Sequence, residues 1–149
     1  MLSRIQRLNA REFAVVFEHS QVLRHPLLQL RFYKHPDKSL QSDADFSSGK
    51  GQKSRRPKSA TRAAFVAPKK LGNAVVRNGI RRRVRERYRI LHKKEALHLH
   101  HLHQWESTLE NCDLVFLATA QCATATSRQI DESLSGLLKR AANKVAAKN

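Results

Sequence analysis

Acidic side chains are scarce in this chain. Its 149 residues hold 12 Asp and Glu against 29 Lys and Arg, a formal charge of +17 at pH 7. A body so charged repels itself and attracts polyanions, so nucleic acid displaces basic proteins and neutral metabolites as the expected partner. Long apolar runs are missing too. None approaches the ~20 residues that span a bilayer, and Met1–Ala10 alternates polar and apolar residues without a signal-peptide stretch. The expectation is a cytoplasmic protein with no membrane partner. Cysteine is limited to Cys112 and Cys122, at opposite ends of an apolar run that reads as one strand. That placement argues against a disulfide and for two buried small residues. The few carboxylates are scattered, whereas a protein-only nuclease needs them clustered around metals or a His-based acid/base arrangement. No residue is therefore assigned a catalytic or metal-binding role.

What remains is enough to fold: 40% of the residues are hydrophobic, and the length suits a single domain, 1–149, with one core. Asn9–His19 reads as a helix, with Asn9 as cap, Glu12 placed as in a capping box, and Phe13, Val16 and Phe17 on one face. Leu27–His35 shifts to period two, with Leu28, Leu30 and Phe32 on one side and Gln29, Arg31 and Tyr33 on the other. Ser39–Ser59 holds six serines, two glycines and a proline, with only Leu40 and Phe46 as large apolar residues, and reads as a flexible insertion. Arg62–Ala67 is a second strand, ended by Pro68. A turn with Lys69, Lys70 and Gly72 follows, and Asn73 can cap a long helix running to about Lys94. Residues 95–110 form a variable connection. Its His98, His100, His101 and His103 are the only metal-like cluster, but they lack accompanying Cys or acids at a recognised spacing. Asp113–Thr119 is a continuous apolar run suited to a central strand. Ser127 opens a last helix with Ile130, Leu134, Leu137 and Leu138 on one face. The order is α, β, β, α, β, α, with room for one more short strand.

The long helix concentrates the charge. Arg77–Lys94 carries nine Lys or Arg residues and a single acid, Glu86. At 100° per residue Asn78, Arg81, Arg82, Arg85, Arg89 and Lys93 share a broad face, opposite Val76, Ile80, Val84, Tyr88 and Leu91. Like charges at i, i+4 each disfavour an isolated helix by roughly 0.2–0.5 kcal/mol, a penalty that a bound polyanion removes. Arg outnumbers Lys seven to two here, and its planar fork suits bidentate phosphate contacts and stacking on bases.

The stretch Phe65–Glu86, with Pro68-Lys69-Lys70-Leu71-Gly72-Asn73-Ala74-Val75-Val76-Arg77-Asn78 at its centre, resembles the strand, turn and "RNR" helix of the bacterial ribonuclease P protein subunit. Arg7-Leu8 with Phe13, Val16 and Phe17 resembles that family's first helix, and Asp113–Ala118 its strand after the RNR helix. The likeness covers most of the chain outside residues 38–60 and 95–110. There are departures. Gly79 stands where the family has the second arginine of RNR, Arg83 replaces an apolar residue on the core-facing side, and Thr119 and Ala120 replace a basic, proline-containing strand end.

The resemblance implies an α/β (α+β) two-layer sandwich, with a mixed sheet of about four strands, three helices and a left-handed β-α-β crossover. It also implies the protein subunit of a ribonucleoprotein that removes the 5′ leader from precursor tRNA, with the chemistry supplied by the catalytic RNA subunit and Mg²⁺ held mainly by that RNA. On that likeness Arg77, Asn78, Arg81, Arg82, Arg85 and Arg89 contact the RNA subunit. The first helix and the exposed sheet face form a cleft for the single-stranded leader, with Phe13, Phe17 and Tyr33 as stacking residues and Arg11, Arg31, Lys69 and Lys70 as neighbouring cations. For Phe13 and Phe17, ordinary core packing is the competing reading. The competing function is a stand-alone basic RNA-binding module, such as a ribosomal protein or RNA chaperone.

Overall fold

A computed structural model describes residue 8 and residues 10–36, 61–97 and 105–147. The element order is α1 (Ala10–His19), β1 (Gln21–Arg24), β2 (Leu28–Lys34), β3 (Arg62–Val66), α2 (Ala74–Leu97), the single turn α3 (Trp105–Thr108), β4 (Cys112–Ala118) and α4 (Ser127–Ala146). The proposed insertion 39–59 and the four histidines from His98 to His103 lie outside the described residues.

Four strands form one sheet in the order β1-β2-β4-β3. β1 and β4 each run antiparallel to β2, while β3 pairs parallel with β4. A parallel neighbour requires a crossover, and here α2 and α3 supply it. β4, the apolar run of the sequence, lies between β2 and β3 and is buried at every position except Leu117. β1 is the additional short strand. At four residues, it is too short to show a periodicity of its own, and it is defined by pairing with β2 across the turn His25-Pro26-Leu27.

Alternation along the strands gives the sheet two different faces. One carries Leu23, Leu28, Leu30, Phe32, Ala63, Leu114, Phe116 and Ala118, all buried in the main core with Ile80, Val84 and Tyr88 of α2 and Ile130, Leu134, Leu137 and Leu138 of α4. The Phe65 and Phe116 rings stack there at 5.5 Å, and Tyr88 meets Phe65 edge-on at 5.4 Å. Burial of each large side chain contributes roughly 1.5–3 kcal/mol. Within the 95–110 connection, Trp105 and Leu109 join this same core. Both cysteines are buried free thiols, and burial pushes the Cys122 thiol above its ordinary value, with nearby Arg83 opposing the shift. The other sheet face carries Gln29, Arg31 and Tyr33 of β2, Asp113 and Val115 of β4, and Arg62 of β3, and α1 lies across it with Val16 fully buried.

The helix ends are fixed by short-range polar contacts. Asn73 Oδ1 accepts from the Val76 amide at 3.0 Å, the cap expected for α2. α4 opens with a capping box: Thr126 Oγ1 accepts from the Gln129 amide, and the Thr126 amide donates to Gln129 Oε1 at 2.8 Å. Between β3 and α2 the chain turns through Lys69–Leu71 to Gly72, whose φ of 133° and ψ of −165° are reached essentially by glycine alone. A Cβ there would also stand 3.3 Å from the Val76 side chain. Gly72→Ala is expected to lower stability by about 1–3 kcal/mol, read as a fall in the urea midpoint with the slope unchanged.

Two expectations about α2 are corrected. Val76 is 43% exposed rather than a core residue, because it lies a full turn before Ile80, beyond the edge of the sheet-facing stripe. Arg83 does not face the core. It is exposed and reaches sideways to donate to the carbonyls of Ala123 (3.0 Å) and Ala125, fastening α2 to the loop before α4.

Candidate nucleic-acid interface

The cationic face of α2 divides into bound and unbound arginines once the fold brings acids and carbonyls to it. Arg87 donates from Nε to Asp131 Oδ1 at 2.6 Å and makes a second bond to the other oxygen, tying α2 to α4. That contact with Asp131 raises the Arg87 pKa against a desolvation penalty. Arg89 is paired with Glu86 one turn back, at 3.0 Å from Nε. With Arg83 held by backbone oxygens, three of the seven helix arginines have structural partners. Among the described residues, no carboxylate pairs with Arg77, Arg81, Arg82 or Arg85. Arg81 bonds only the side-chain oxygen of Asn78, which leaves its charge unneutralised. Arg82 and Asn78 are exposed, and Arg77, Arg81 and Arg85 are half-buried along their stems, as long side chains lying on a helix surface are. Lys69 and Lys70, on the turn that leads into α2, are both exposed. The six residues expected to contact the RNA subunit thus all lie on α2, with Arg89 the member already neutralised.

The second predicted surface lies on the α1 face of the sheet. Phe13 and Phe17, four residues apart, stack at 4.7 Å between ring centroids, and the Arg31 guanidinium sits 4.7 Å over the Phe17 ring. Phe17 is 37% exposed and Phe13 half-buried, while Val16 supplies the buried contact to the sheet. These rings therefore line the border between α1 and the sheet rather than fill a core. Beside them the half-buried row Gln29, Leu117 and Val66 crosses β2, β4 and β3 on the same face. Tyr33 is half-buried too, edge-on to His35 at 4.6 Å and 6.2 Å from His19. Arg11 is exposed on α1, and Lys69 and Lys70 belong spatially to the start of α2.

Sequence reasoning missed the ionic cluster that holds α1 to this face. Asp113 is fully buried and Arg62 is 4% exposed. Arg62 grips both Asp113 oxygens, from Nε at 2.9 Å and Nη2 at 2.8 Å, and its Nη1 reaches Glu12 of α1. His35 Nε2 lies 2.6 Å from Asp113 Oδ2. Desolvation works against the Arg62 charge, but the bonds to Asp113 and Glu12 outweigh it and hold its pKa above the ordinary arginine value. The signal was available: a strand-opening Asp heading a fully apolar run demands a buried partner. Among the described residues, no three His, Cys, Asp or Glu side chains are grouped to hold a metal ion. The two carboxylates of this cluster are already engaged by Arg62. No helix among them is long and apolar enough to cross a membrane.

Comparison with known proteins places this arrangement. Residues 2–142 match the family model described as Ribonuclease P. The curated ribonuclease P protein component of Clostridioides difficile (strain 630) is 32% identical over 80 residues, which cover 54% of this chain and 60% of that protein. The match thus spans less than two thirds of that relative's length. The structure of Staphylococcus aureus RNase P protein superposes with a TM-score of 0.59 at 22% identity, covering 91% of this chain and 94% of that one. The RNase P protein from Thermotoga maritima gives 0.58 at 20% identity, covering 90% and 96%. Both likenesses concern the fold: helices and a four-stranded mixed open sheet.

Proposed function

Because the chain belongs to the ribonuclease P protein family, we propose that it is the protein subunit of a ribonuclease P ribonucleoprotein, assisting a catalytic RNA in removing the 5′ leader from precursor tRNA. Docking to the RNA subunit uses Arg77, Asn78, Arg81, Arg82 and Arg85, with Arg89 at the edge of the contact. The observation that carries this reading is the set Arg77, Arg81, Arg82 and Arg85, which among the described residues neither pair with a carboxylate nor fasten α2 to another element. Guanidinium forks left free in this way make strong, charge-assisted contacts with phosphate.

The leader lies along the α1 face. A single strand of variable sequence is best held by stacking, worth about 1–3 kcal/mol per base, together with phosphate contacts. Phe13, Phe17 and Tyr33 offer the ring faces and Arg31 the cation, while Arg11, Lys69 and Lys70 flank the path. No protein side chain is assigned to bond cleavage. Mg²⁺ belongs to the RNA subunit, and the protein's part is to screen the approach of two polyanions and to position the substrate.

Reconstitution tests the reading. Added to the ribonuclease P RNA encoded with it, at Mg²⁺ too low for the RNA alone, the protein is expected to raise kcat/KM for precursor tRNA cleavage by at least tenfold. RNA binding without any stimulation supports the stand-alone module instead.

A further inference from the structure

Strand pairing lines up one residue of each strand in a single row on the α1 face: Val66 of β3, Leu117 of β4, Gln29 of β2 and Arg24 of β1. The first three are half-buried and border the aromatic cleft, and Arg24, which is exposed, continues the row to the edge of the sheet. Three strand spacings separate the ends of the row, about 14 Å. Arg24 belongs to this face because Leu23, the residue before it, lies in the main core on the other side. Among the described residues no strand pairs with the outer side of β1, and the element that meets this edge is α4.

Arg140 of α4 reaches round to β1, where its Nη1 donates to the Arg24 carbonyl at 3.0 Å. The bond orients the guanidinium without cancelling its charge. Lys139 and Lys144, before and after it on α4, are exposed. The acids of this helix, Asp131 and Glu132, are occupied by Arg87 and Arg128, and from Ser133 to Ala146 it holds none. Among the described residues no carboxylate pairs with Arg24, Lys139, Arg140 or Lys144. A cation in the last turn answers the helix dipole, and Lys144 alone has that position. The dipole therefore does not account for Lys139 and Arg140.

We infer that this edge is the exit track of the leader: the segment farther from the cleavage site leaves the cleft across Arg24, turns over β1 and lies against Arg140, Lys139 and Lys144. This rests on the proposed leader cleft and extends it to the opposite layer of the sheet. Continuity with the cleft row favours the leader over the RNA subunit, because α2, the helix assigned to that subunit, packs over β3 at the other edge. The two parts of the path differ in chemistry. The cleft offers rings for stacking, whereas β1 and α4 contain no aromatic residue. The distal segment is therefore held through its phosphates, and its bases are not read.

The test uses the holoenzyme reconstituted from the full-length protein and the ribonuclease P RNA encoded with it. Kd is measured for mature tRNA and for precursors with leaders of about 5 and about 15 nucleotides, which bracket common single-strand site sizes. The parent is expected to bind the long-leader precursor more tightly than the short one. Arg24→Ala combined with Lys139→Ala and Lys144→Ala is expected to weaken the long-leader complex at least about fivefold and the short-leader complex less than about twofold. The salt slope of the long-leader complex should flatten by about 2, near 0.7 for each phosphate contact removed. Lys139→Arg with Lys144→Arg keeps the parent affinity, as do abasic nucleotides in the distal leader. An unchanged long-leader complex, equal losses for both leaders, or weaker binding of the triple variant to the ribonuclease P RNA itself would overturn the track. So would a parent that separates precursor from mature tRNA but not long leader from short. If the parent binds precursor and mature tRNA alike, the cleft reading itself fails.

Discussion

Replacing Arg62 by leucine is expected to destabilise the protein by about 3–5 kcal/mol, the range for removing one member of a buried ion pair. That is a large share of the 5–15 kcal/mol that typically separates folded from unfolded domains. Arg62 contacts both oxygens of Asp113, whose side chain is fully buried, and reaches Glu12 on α1. Without it Asp113 and Glu12 lose the guanidinium they share. The double replacement Arg62→Leu with Asp113→Leu is expected to recover much of the loss, since apolar isosteres of a buried pair are often neutral. Urea unfolding of the single and double variants measures the coupling. A loss below about 1 kcal/mol, the scale of an exposed pair, would mean that the cluster does not secure α1. Because Glu12 lies one residue before Phe13, loosening it also disorders the aromatic border of the cleft. Cleavage assays with the Arg62→Leu protein are therefore expected to show a raised KM for precursor tRNA with long leaders, at temperatures where the variant is still folded.

The second large effect concerns binding. Changing Arg77, Arg81, Arg82 and Arg85 together to alanine is expected to lower affinity for the ribonuclease P RNA by at least about 10³-fold near physiological salt. The slope of log affinity against log salt should flatten by roughly 3 to 4, about 0.7–0.9 for each phosphate contact removed. Stability should hold or rise, since the i, i+4 repulsions along Arg77, Arg81 and Arg85 disappear. Arg87→Ala provides the contrast. Its side chain fastens α2 to Asp131 of α4, so this change is expected to lower stability while leaving the salt slope within one unit of the parent. An unchanged slope in the quadruple variant would place RNA docking elsewhere on the molecule.

Much of the molecule was legible before any coordinates. The period-two pattern of Leu28, Leu30 and Phe32, the apolar run of β4, and the Ile130, Leu134, Leu137 and Leu138 stripe all bury as their spacing requires. Asn73 caps α2 as its position suggests. These features depend on backbone geometry within a turn or a few residues, and the chain encodes them locally. The first strand was harder because four residues cannot display a period.

Charge was a different matter. From sequence alone, the seven arginines of α2 form a single population. Whether each is free depends on Asp131 and on Ala123 and Ala125, 40 to 44 residues away along the chain. The Arg62–Asp113 pair spans 51 residues and Arg62–Glu12 spans 50. Sequence by itself determined the three long helices, the three longer strands and the sign of the surface, because sterics and solvent act on each residue and its near neighbours. Only tertiary structure decided which cations are spent within the protein and which remain for a partner, because an ion pair is a property of two positions that folding brings together.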